Sequence, residues 1–326
     1  MRRFGGPLPT ADGDVGRAPG TEAASAPSMA ISLKPLNEQV MVITGASSGI
    51  GLATALAAAE AGVNLVLAAR SADVLATVSR EIEVRGRRAF SVTADVADAD
   101  AVERVAQVAI REFGRIDTWV NNAGISIYWR IEEISLADQR RLFDVNYWGV
   151  VHGSLTALRY LRANGGALIN VGSEVSEAVA PLQGPYSASK HAVKGFTDAL
   201  RVEVEEVDKA PVAITLIQPT AVNTPYPEHA KNYLSREPKL PNPMIDPERV
   251  AQAILDAATH WTRDKKVGVM ATVNTMTAKL MPGIADKLSA KKVDAQQQGD
   301  HPARDPEGAL YRPSEDGRIR GGQVSA

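Results

Sequence analysis

The stretch QVMVITGASSGIG, residues 39–51, joins a short apolar run to a turn that contains three glycines. The apolar run predicts a buried strand, and residues 49–61 predict a helix. Gly45, Gly49 and Gly51 let the chain turn tightly, let its backbone approach a ligand, and let the helix pack against the strand. Because free N–H groups at a helix N-terminus attract anions, the turn predicts a pyrophosphate site.

Some glycine-rich turns bind no ligand and only allow close packing of the chain. The position of this turn in the fold decides between the two interpretations. It follows the first predicted strand and begins a helix, which favours a dinucleotide over a packing turn. No Lys-Ser or Lys-Thr pair follows Gly51, and this excludes the Walker pattern of nucleoside triphosphate-binding loops.

Apolar runs alternate with helical patterns through the central part of the chain. Strands that are apolar on both faces are covered by helices on both sides. The pattern therefore predicts an α/β fold, a single doubly wound domain with a seven-stranded parallel sheet and helices on both faces. The predicted strands are 39–44, 63–69, 88–95, 116–123, 166–172, 211–219 and 265–271, and the predicted helices are 49–61, 72–85, 98–113, 136–163, 186–207 and 247–258.

The two ends of the chain differ in composition from this domain. Residues 1–37 are rich in Gly, Pro, Ala and Ser, and we predict that they are disordered. Residues 286–326 are polar and interrupted by Pro and Gly, which predicts a flexible tail. We therefore expect the folded domain to span residues 38–285.

Composition and charge exclude several classes of function. The chain has 326 residues, a formal net charge of −2 and no cysteine, so disulfides, thiol nucleophiles and Cys-zinc sites are excluded. The near-neutral charge argues against nucleic acid or an anionic membrane surface as a partner. The five histidines show no metal-ligand spacing, and we predict no metal site. No window predicts a membrane span or a secretory signal, and we expect a cytoplasmic protein.

The second predicted strand ends in LVLAARS, residues 65–71. Dinucleotide-binding folds that use NAD place an acidic residue here, which bonds the ribose 2′-hydroxyl. This chain has no Asp or Glu at 67–70, and Arg70 can instead pair with a 2′-phosphate. We therefore predict NADP(H) in preference to NAD(H); the alternative is a surface arginine at a strand end.

Four motifs occur in order along the domain: TGASSGIG at 44–51, NNAG at 121–124, NVGS at 170–173 and YSASK at 186–190. Ser173 precedes Tyr186 by thirteen residues, and Lys190 follows Tyr186 by four. In these motifs and spacings, over about residues 37–272, the chain resembles the classical short-chain dehydrogenase/reductase family. The resemblance implies a Rossmann domain that transfers hydride between a nicotinamide cofactor and a carbonyl or secondary alcohol.

The resemblance also implies four catalytic residues: Asn146, Ser173, Tyr186 and Lys190. Tyr186 would act as general acid or base, Ser173 would bond the substrate oxygen, Lys190 would reach the nicotinamide ribose, and Asn146 would hold a proton-relaying water. Tyr186 and Lys190 stand at i and i+4, so they share one helix face. We expect the ammonium to lower the pKa of the phenol towards neutrality, by up to about three units. Singly, each residue has an ordinary structural alternative; the four together favour catalysis.

Cofactor contacts follow from the glycine turn, from Arg70 and from the resemblance. Where the family often has Pro-Gly after the sixth strand, this chain has Pro219-Thr220, which puts the backbone of that loop in doubt. The expected contacts are Gly45, Ser47, Ser48, Gly49, Ile50, Gly51, Arg70, Asp95, Val96, Asn122, Ala123, Gly124, Tyr186, Lys190, Pro219, Val222 and Thr224.

The long Pro-rich segment at 225–245 predicts a lid over the cleft. Ser173, Gln183 and Tyr226 are the candidate substrate contacts. Because no basic cluster marks the lid, we expect an apolar carbonyl or alcohol rather than a sugar phosphate or an acyl carrier. The resemblance further implies a homodimer or homotetramer, formed through the helices at 136–163 and 186–207.

Two other functions stay open at this point. A sugar-nucleotide epimerase of the extended branch typically has the spacing TGxxGxxG, whereas this chain has TGxxxGxG. A non-catalytic NADP-binding sensor or scaffold would not need the four catalytic residues, and all four are present.

Overall fold

The computed structural model describes residues 31–314 and 317–322. Disorder is predicted for residues 1–37, of which 1–30 lie outside the described residues. Within 31–37, Leu33 and Leu36 pack against the core and Lys34 pairs with Asp117 at 2.6 Å, so this part is attached to the domain. Eleven strands occur in the described residues, seven of them in one sheet. In chain order they are β1 Val40–Thr44, β2 Asn64–Ala69, β3 Ala89–Thr93, β4 Thr118–Asn121, β5 Ile127–Tyr128, β6 Gly166–Val171, β7 Val212–Pro219, β8 Lys231–Asn232, β9 Arg236–Pro238, β10 Asp264–Val267 and β11 Gln298–Pro302.

The helices lie on both faces of the main sheet and after its last strand. They are α1 Gly49–Glu60, α2 Ala72–Val84, α3 Ala99–Phe113, α4 Leu136–Phe143, α5 Gly149–Asn164, α6 Gly184–Arg201, α7 Tyr226–His229, α8 Pro247–Ala257, α9 Val269–Leu280 and α10 Pro282–Gln297. No helix of the described residues is both long and apolar enough to span a bilayer.

The main sheet is parallel throughout, with the strand order β10-β7-β6-β4-β1-β2-β3. Residues of α1, α2 and α8 form one apolar cluster with its strands, and residues of α3, α5 and α6 form a second. Every residue of β1, β4, β6 and β7 is buried, as expected for strands covered on both faces. The predicted doubly wound α/β fold is therefore confirmed.

The strand order places the functional cleft. From β1 the chain proceeds to β2 on one side, and later returns to β4 on the other side. At such a switch point the connecting segments diverge, and a crevice opens beyond the carboxyl ends of the two strands. The glycine turn after β1 and the NNAG motif after β4 meet at this crevice.

Two details of the helices and strands differ from the sequence-based prediction. The strand predicted at 265–271 ends at Val267, because Gly268 adopts a φ of +94° and α9 begins at Val269. The long helices at 136–163 and 186–207 each contain a widened, π-helical turn, at Asp144–Trp148 and at Val202–Val207. Such widened turns are frequent at functional sites, and the first contains Asn146.

The sequence predicts a flexible tail from residue 286, but residues after this point form a helix and a strand. Helix α10 continues to Gln297, and β11 then pairs antiparallel with β9. Leu310 has no exposed surface and belongs to the second apolar cluster. The described part of the tail therefore packs on the domain, because a buried leucine and several backbone hydrogen bonds attach it.

Candidate active site

The turn between β1 and α1 has a backbone that only glycine accommodates easily. Gly45 and Gly49 have φ values of +68° and +54°. A Cβ at Gly45 would lie 2.7 Å from the Ala123 Cα, and one at Gly51 would lie 2.1 Å from the Gly45 carbonyl oxygen. The side chain of Ser48 does not cap α1. The Gly49 N–H donates to the Arg318 carbonyl at 2.9 Å, and the turn otherwise has the form that fits the pyrophosphate of a dinucleotide at a helix N-terminus.

Asn122 ties this turn to the end of β4. Its side-chain nitrogen donates to the carbonyl oxygens of Thr44 and Gly45, at 3.0 and 3.2 Å. The Thr44 hydroxyl accepts in return from the backbone N–H groups of Asn122 and Ala123, at 3.0 and 3.2 Å. The Asn122 amide therefore fixes the floor of the cleft by bonding the protein's own backbone.

Two arginines stand at the end of the cleft beside β2 and β3. Arg141 pairs with the Asp95 carboxylate. Arg70 lies close enough to both groups for their charges to shift its pKa. Burial lowers the pKa of Arg70; Asp95 opposes that change, and Arg141 adds to it. Arginine nevertheless keeps its proton at neutral pH. This end of the cleft therefore offers a partly desolvated positive charge to an anionic group.

Tyr186 and Lys190 lie on the first turns of α6, as their spacing predicts. The Lys190 Nζ is 5.7 Å from the centre of the Tyr186 ring and donates to the Val171 carbonyl oxygen at 2.8 Å. Ser173 follows β6 after Gly172, and its side chain lies close enough to that of Tyr186 to act on the Tyr186 pKa. The strand end and the helix start therefore bring three of the predicted catalytic residues together.

The ionisation of this pair departs from the expectation. Burial raises the pKa of Tyr186 above its usual range, although hydrogen bonds from Tyr226 and Ser173 oppose the rise. Burial also lowers the pKa of Lys190 to about 8. In the chain alone the Tyr186 pKa thus shifts away from neutrality, because desolvation prevails and the ammonium bonds the Val171 carbonyl rather than the phenol.

Asn146 is completely buried behind the cleft. Its Nδ2 donates to the Ile125 carbonyl and to the Ser189 hydroxyl, at 2.9 and 3.1 Å, and its Oδ1 accepts from the Ile125 N–H at 2.8 Å. Both hydrogens of the amide are thereby used. The side chain connects the widened turn to α6 and to the segment after β4.

The segment at 225–245, predicted as a lid, lines the same cleft as Ser173. The Tyr226 hydroxyl bonds the Gln183 Oε1 at 3.1 Å, and its ring lies 5.5 Å from that of Tyr186, centre to centre. Leu240 and Pro241, from the later part of the segment, also line the cleft. All three predicted substrate contacts, Ser173, Gln183 and Tyr226, are thus in one place.

The cleft contains most of the residues that the sequence predicts for it. Of the predicted catalytic, cofactor and substrate residues, all line it except Gly51, which packs beneath the turn, and Asn146. Among residues 31–314 and 317–322, no group of three or more His, Asp or Glu side chains is arranged to hold a metal ion.

Sequence reasoning missed Glu174, which is adjacent to Ser173. Its Oε2 accepts from the Asn274 amide and the Thr220 hydroxyl, both at 2.9 Å, and burial raises its pKa. Its position next to a predicted catalytic serine is a signal that could have found it. Ala309, Pro313 and Ser314 also line the cleft, and no local pattern indicates that.

A family model described as short chain dehydrogenase matches residues 39–233. The oxidoreductase YxnA of Bacillus subtilis is 43% identical over 285 residues, which cover 86% of this chain and 80% of that protein. The putative oxidoreductase SadH of Mycobacterium tuberculosis is 32% identical, over 78% of this chain and 95% of its own.

Solved structures agree with these relatives. An alcohol dehydrogenase from the archaeon Thermococcus sibiricus, complexed with 5-hydroxy-NADP, matches with a TM-score of 0.61 and 28% identity over 70% of this chain and 94% of its own. A short-chain dehydrogenase/reductase from Burkholderia phymatum, in complex with NAD, shares the fold, with a TM-score of 0.66 and 24% identity over 84% of this chain and 99% of its own. The chain is therefore an oxidoreductase of the short-chain dehydrogenase/reductase family.

Proposed function

We propose that this protein is an NADP(H)-dependent oxidoreductase that interconverts a carbonyl compound and its secondary alcohol. The observation that supports it best is the meeting of Ser173, Tyr186 and Lys190 in a cleft that the glycine turn also lines. The full catalytic set argues against a non-catalytic sensor, and the glycine spacing argues against an epimerase of the extended branch.

Tyr186 and Ser173 have different roles in the proposed reaction. When bound, the nicotinamide cofactor supplies hydride to the carbonyl carbon, or accepts it from the alcohol. In reduction Tyr186 donates its proton to the carbonyl oxygen, and in oxidation its phenolate removes the hydroxyl proton. Ser173 donates a hydrogen bond to that oxygen and stabilises its developing charge. Because the Tyr186 pKa is raised in the chain alone, reduction begins from its neutral, proton-carrying form.

The Lys190 charge assists the same proton transfer. An ammonium one helical turn from the phenol stabilises the phenolate left after the proton has gone. Asn146 supports this arrangement by holding α6 through Ser189. Since both of its amide hydrogens are used by the protein, a relay water at this point would depend on its remaining acceptor positions.

The cofactor preference rests on Arg70. The guanidinium stands at the end of β2, where no carboxylate of residues 67–70 would repel a 2′-phosphate. Arg141 stands nearby, with its charge paired to the Asp95 carboxylate. Pairing between guanidinium and phosphate is bidentate and charge-assisted, so it would select NADP(H) over NAD(H).

The substrate side of the cleft favours an apolar carbonyl compound. Val175, Ala180, Leu240 and Pro241 line it, and Tyr226 closes it above Tyr186. Gln183 supplies the polar contact at its edge, while Glu174 supplies a carboxylate. A small carbonyl or alcohol with a largely apolar body fits this lining better than an anion.

Assembly and location remain further proposals. Trp148, Leu155 and Val202 are about half exposed along the long helices α5 and α6 and their widened turns. A homodimer or homotetramer through these helices would cover that apolar surface. A cytoplasmic location stays a prediction from the sequence.

Replacement of Tyr186 by Phe tests the central role directly. The variant keeps the ring packed and loses only the proton donor, so kcat should fall by roughly 10²–10⁴. Reduced cofactor should still bind, because the other expected cofactor contacts are unchanged. Assays with NADPH and a panel of ketones, aldehydes and quinones measure the change, with Tyr160→Phe as control, since Tyr160 bonds Glu103 far from the cleft. Full activity of Tyr186→Phe on every active substrate would disprove the assignment.

The buried lysine predicts a pH dependence of stability. Its pKa is about 8 in the fold and about 10.4 in the unfolded chain, so between these values the unfolded chain binds the extra proton. The free energy of unfolding should therefore rise with pH across this window, by up to about 3 kcal/mol relative to Lys190→Met. Urea unfolding at several pH values measures this, with the exposed Lys209→Met as control. A constant difference between parent and Lys190→Met from pH 7.5 to 10.5 would contradict it.

Arg70→Ala tests the cofactor preference. Loss of a charge-assisted pair costs about 1.5–3 kcal/mol, so the ratio of NADPH to NADH affinity should fall by roughly ten-fold or more. Fluorescence titration with both cofactors measures the ratio, and Arg80→Ala, an exposed change on α2, is the control. An equal loss for both cofactors would show that Arg70 does not bind the 2′-phosphate.

A further inference from the structure

Residues 306–314 and 317–322, here called the C-terminal strap, lie along the open side of the cofactor cleft. The strap is attached to the domain at its start: the Asn232 N–H donates to the Pro306 carbonyl at 2.8 Å, and the Ala309 N–H donates to the His229 carbonyl at 2.7 Å. Leu310 has no exposed surface, and Ala309 has 5%. These contacts make the strap part of the folded domain rather than a loose end.

At the adenosine end, the strap bonds the residues that would hold the cofactor. The Arg70 guanidinium donates to the carbonyl oxygens of Ala309 and Leu310, at 2.5 and 3.3 Å. Arg141 Nε donates to the same Leu310 oxygen at 3.2 Å. The Ser71 hydroxyl donates to the Ser314 carbonyl. Three donors at this end of the cleft are therefore oriented by backbone carbonyls of the strap.

The strap then crosses the phosphate turn and reaches the lid. The Gly49 N–H donates to the Arg318 carbonyl at 2.9 Å, and the Arg318 guanidinium pairs with Glu228 of α7 at 2.6 Å. A Cβ at Gly321 would lie 2.6 Å from the Thr224 carbonyl oxygen, which shows how closely the chain passes. The contacts of the strap thus extend from the adenosine end to the lid.

The strap lines the space that remains in the cleft, and at the phosphate turn it takes one donor, the Gly49 N–H. Ala309, Pro313 and Ser314 line the same space as Gly45 at the glycine turn and Tyr186 at the catalytic end. Carbonyl oxygens carry no net charge, so they orient Arg70 and Arg141 without cancelling the positive charge that a phosphate needs. A guanidinium has five N–H donors, and the strap uses two from Arg70.

We propose that the C-terminal strap is a cofactor-binding element, which completes the wall around the adenosine diphosphate half of the dinucleotide and holds Arg70 in place for it. This rests on the proposed function, since it assigns further residues to the same cofactor site. Bound cofactor leaves only when the strap loosens, so the strap slows dissociation and tightens binding.

Two variants of the full-length chain loosen the strap at different contacts. In Gly308→Val, a side chain enters at a φ of +52°, where its Cβ would lie 2.4 Å from the Ala230 carbonyl oxygen. Leu310→Ser removes the buried apolar attachment. Matched controls are Gly283→Val, which has open space around it, and Leu288→Ser, whose side chain is half exposed on α10.

The measurements are the affinity and the dissociation rate of NADPH, by titration and by stopped-flow fluorescence, and the affinity of adenosine 2′,5′-bisphosphate. We expect both strap variants to release NADPH about ten-fold faster or more, and to bind the bisphosphate more weakly by a similar factor, while the controls match the parent. Unchanged binding in folded strap variants would overturn the proposal. Tighter binding would also overturn it, because the strap would then compete with the cofactor.

Hydrogen–deuterium exchange on the unmodified chain tests the same point if a variant fails to fold. Peptides that cover the strap should exchange more slowly once NADPH is bound, whereas unchanged or faster exchange would contradict a wall that closes on the cofactor.

The failure of the strap proposal can be distinguished from the failure of the proposed function. If the parent chain binds neither NADPH nor NADH, the proposed function is contradicted. If the parent and the strap variants bind NADPH with the same affinity, only the role of the strap is contradicted.

Discussion

The cleft depends on the hydrogen bonds that join the end of β1 to the end of β4. Asn122 and Thr44 bond each other's segments through four contacts, all between 3.0 and 3.2 Å. They hold the glycine turn, in which Gly45 and Gly49 have positive φ, against the end of β4. The Gly51 position, where a Cβ would lie 2.6 Å from the Asn122 amide, shows how tightly the two segments approach. Without this junction neither the phosphate turn nor the nicotinamide end would have a fixed floor.

The rest of the site is assembled around that floor from elements far apart in the chain. Ser173 follows β6, and Tyr186 and Lys190 lie on α6. The widened turn before α5 places Asn146 against α6. Lys190 is only 4% exposed, and its nitrogen is bonded to a strand carbonyl. The same burial that positions the pair therefore shifts both of its pKa values, upward for the phenol and downward for the ammonium. Bound cofactor would change this balance, because its positive ring would favour the phenolate.

Local spacing and strand order made much of the fold and the cleft predictable. The four-residue spacing of Tyr186 and Lys190 fixes a shared helix face, and the carboxyl ends of parallel strands fix where the motifs meet. The direction of the Tyr186 pKa shift was wrong, because the sequence shows the charged neighbour but not the depth of burial. Glu174 was missed because its hydrogen-bond partners, Thr220 and Asn274, are distant in sequence.

The strap was not predictable for a different reason. Its contacts with Arg70, Arg141 and Gly49 are made by backbone carbonyls. Because every residue carries a carbonyl, no side-chain pattern in the sequence predicts these contacts. In the polar sequence of the strap, Ala309 and Leu310 are buried apolar residues. Arg70 thereby acquires two partners, the strap in this structure and a 2′-phosphate in the proposed complex.

The most direct test of the account is isotope transfer from reduced cofactor to substrate. NADPH that carries deuterium at the transferable position of its nicotinamide would be incubated with the protein and a panel of apolar ketones, and the products analysed by mass spectrometry and NMR. We predict one deuterium on the carbinol carbon of each alcohol formed, with the hydroxyl proton from solvent by way of Tyr186. If the folded protein binds NADPH but no product of the panel carries that deuterium, the proposed hydride transfer to a carbonyl is contradicted.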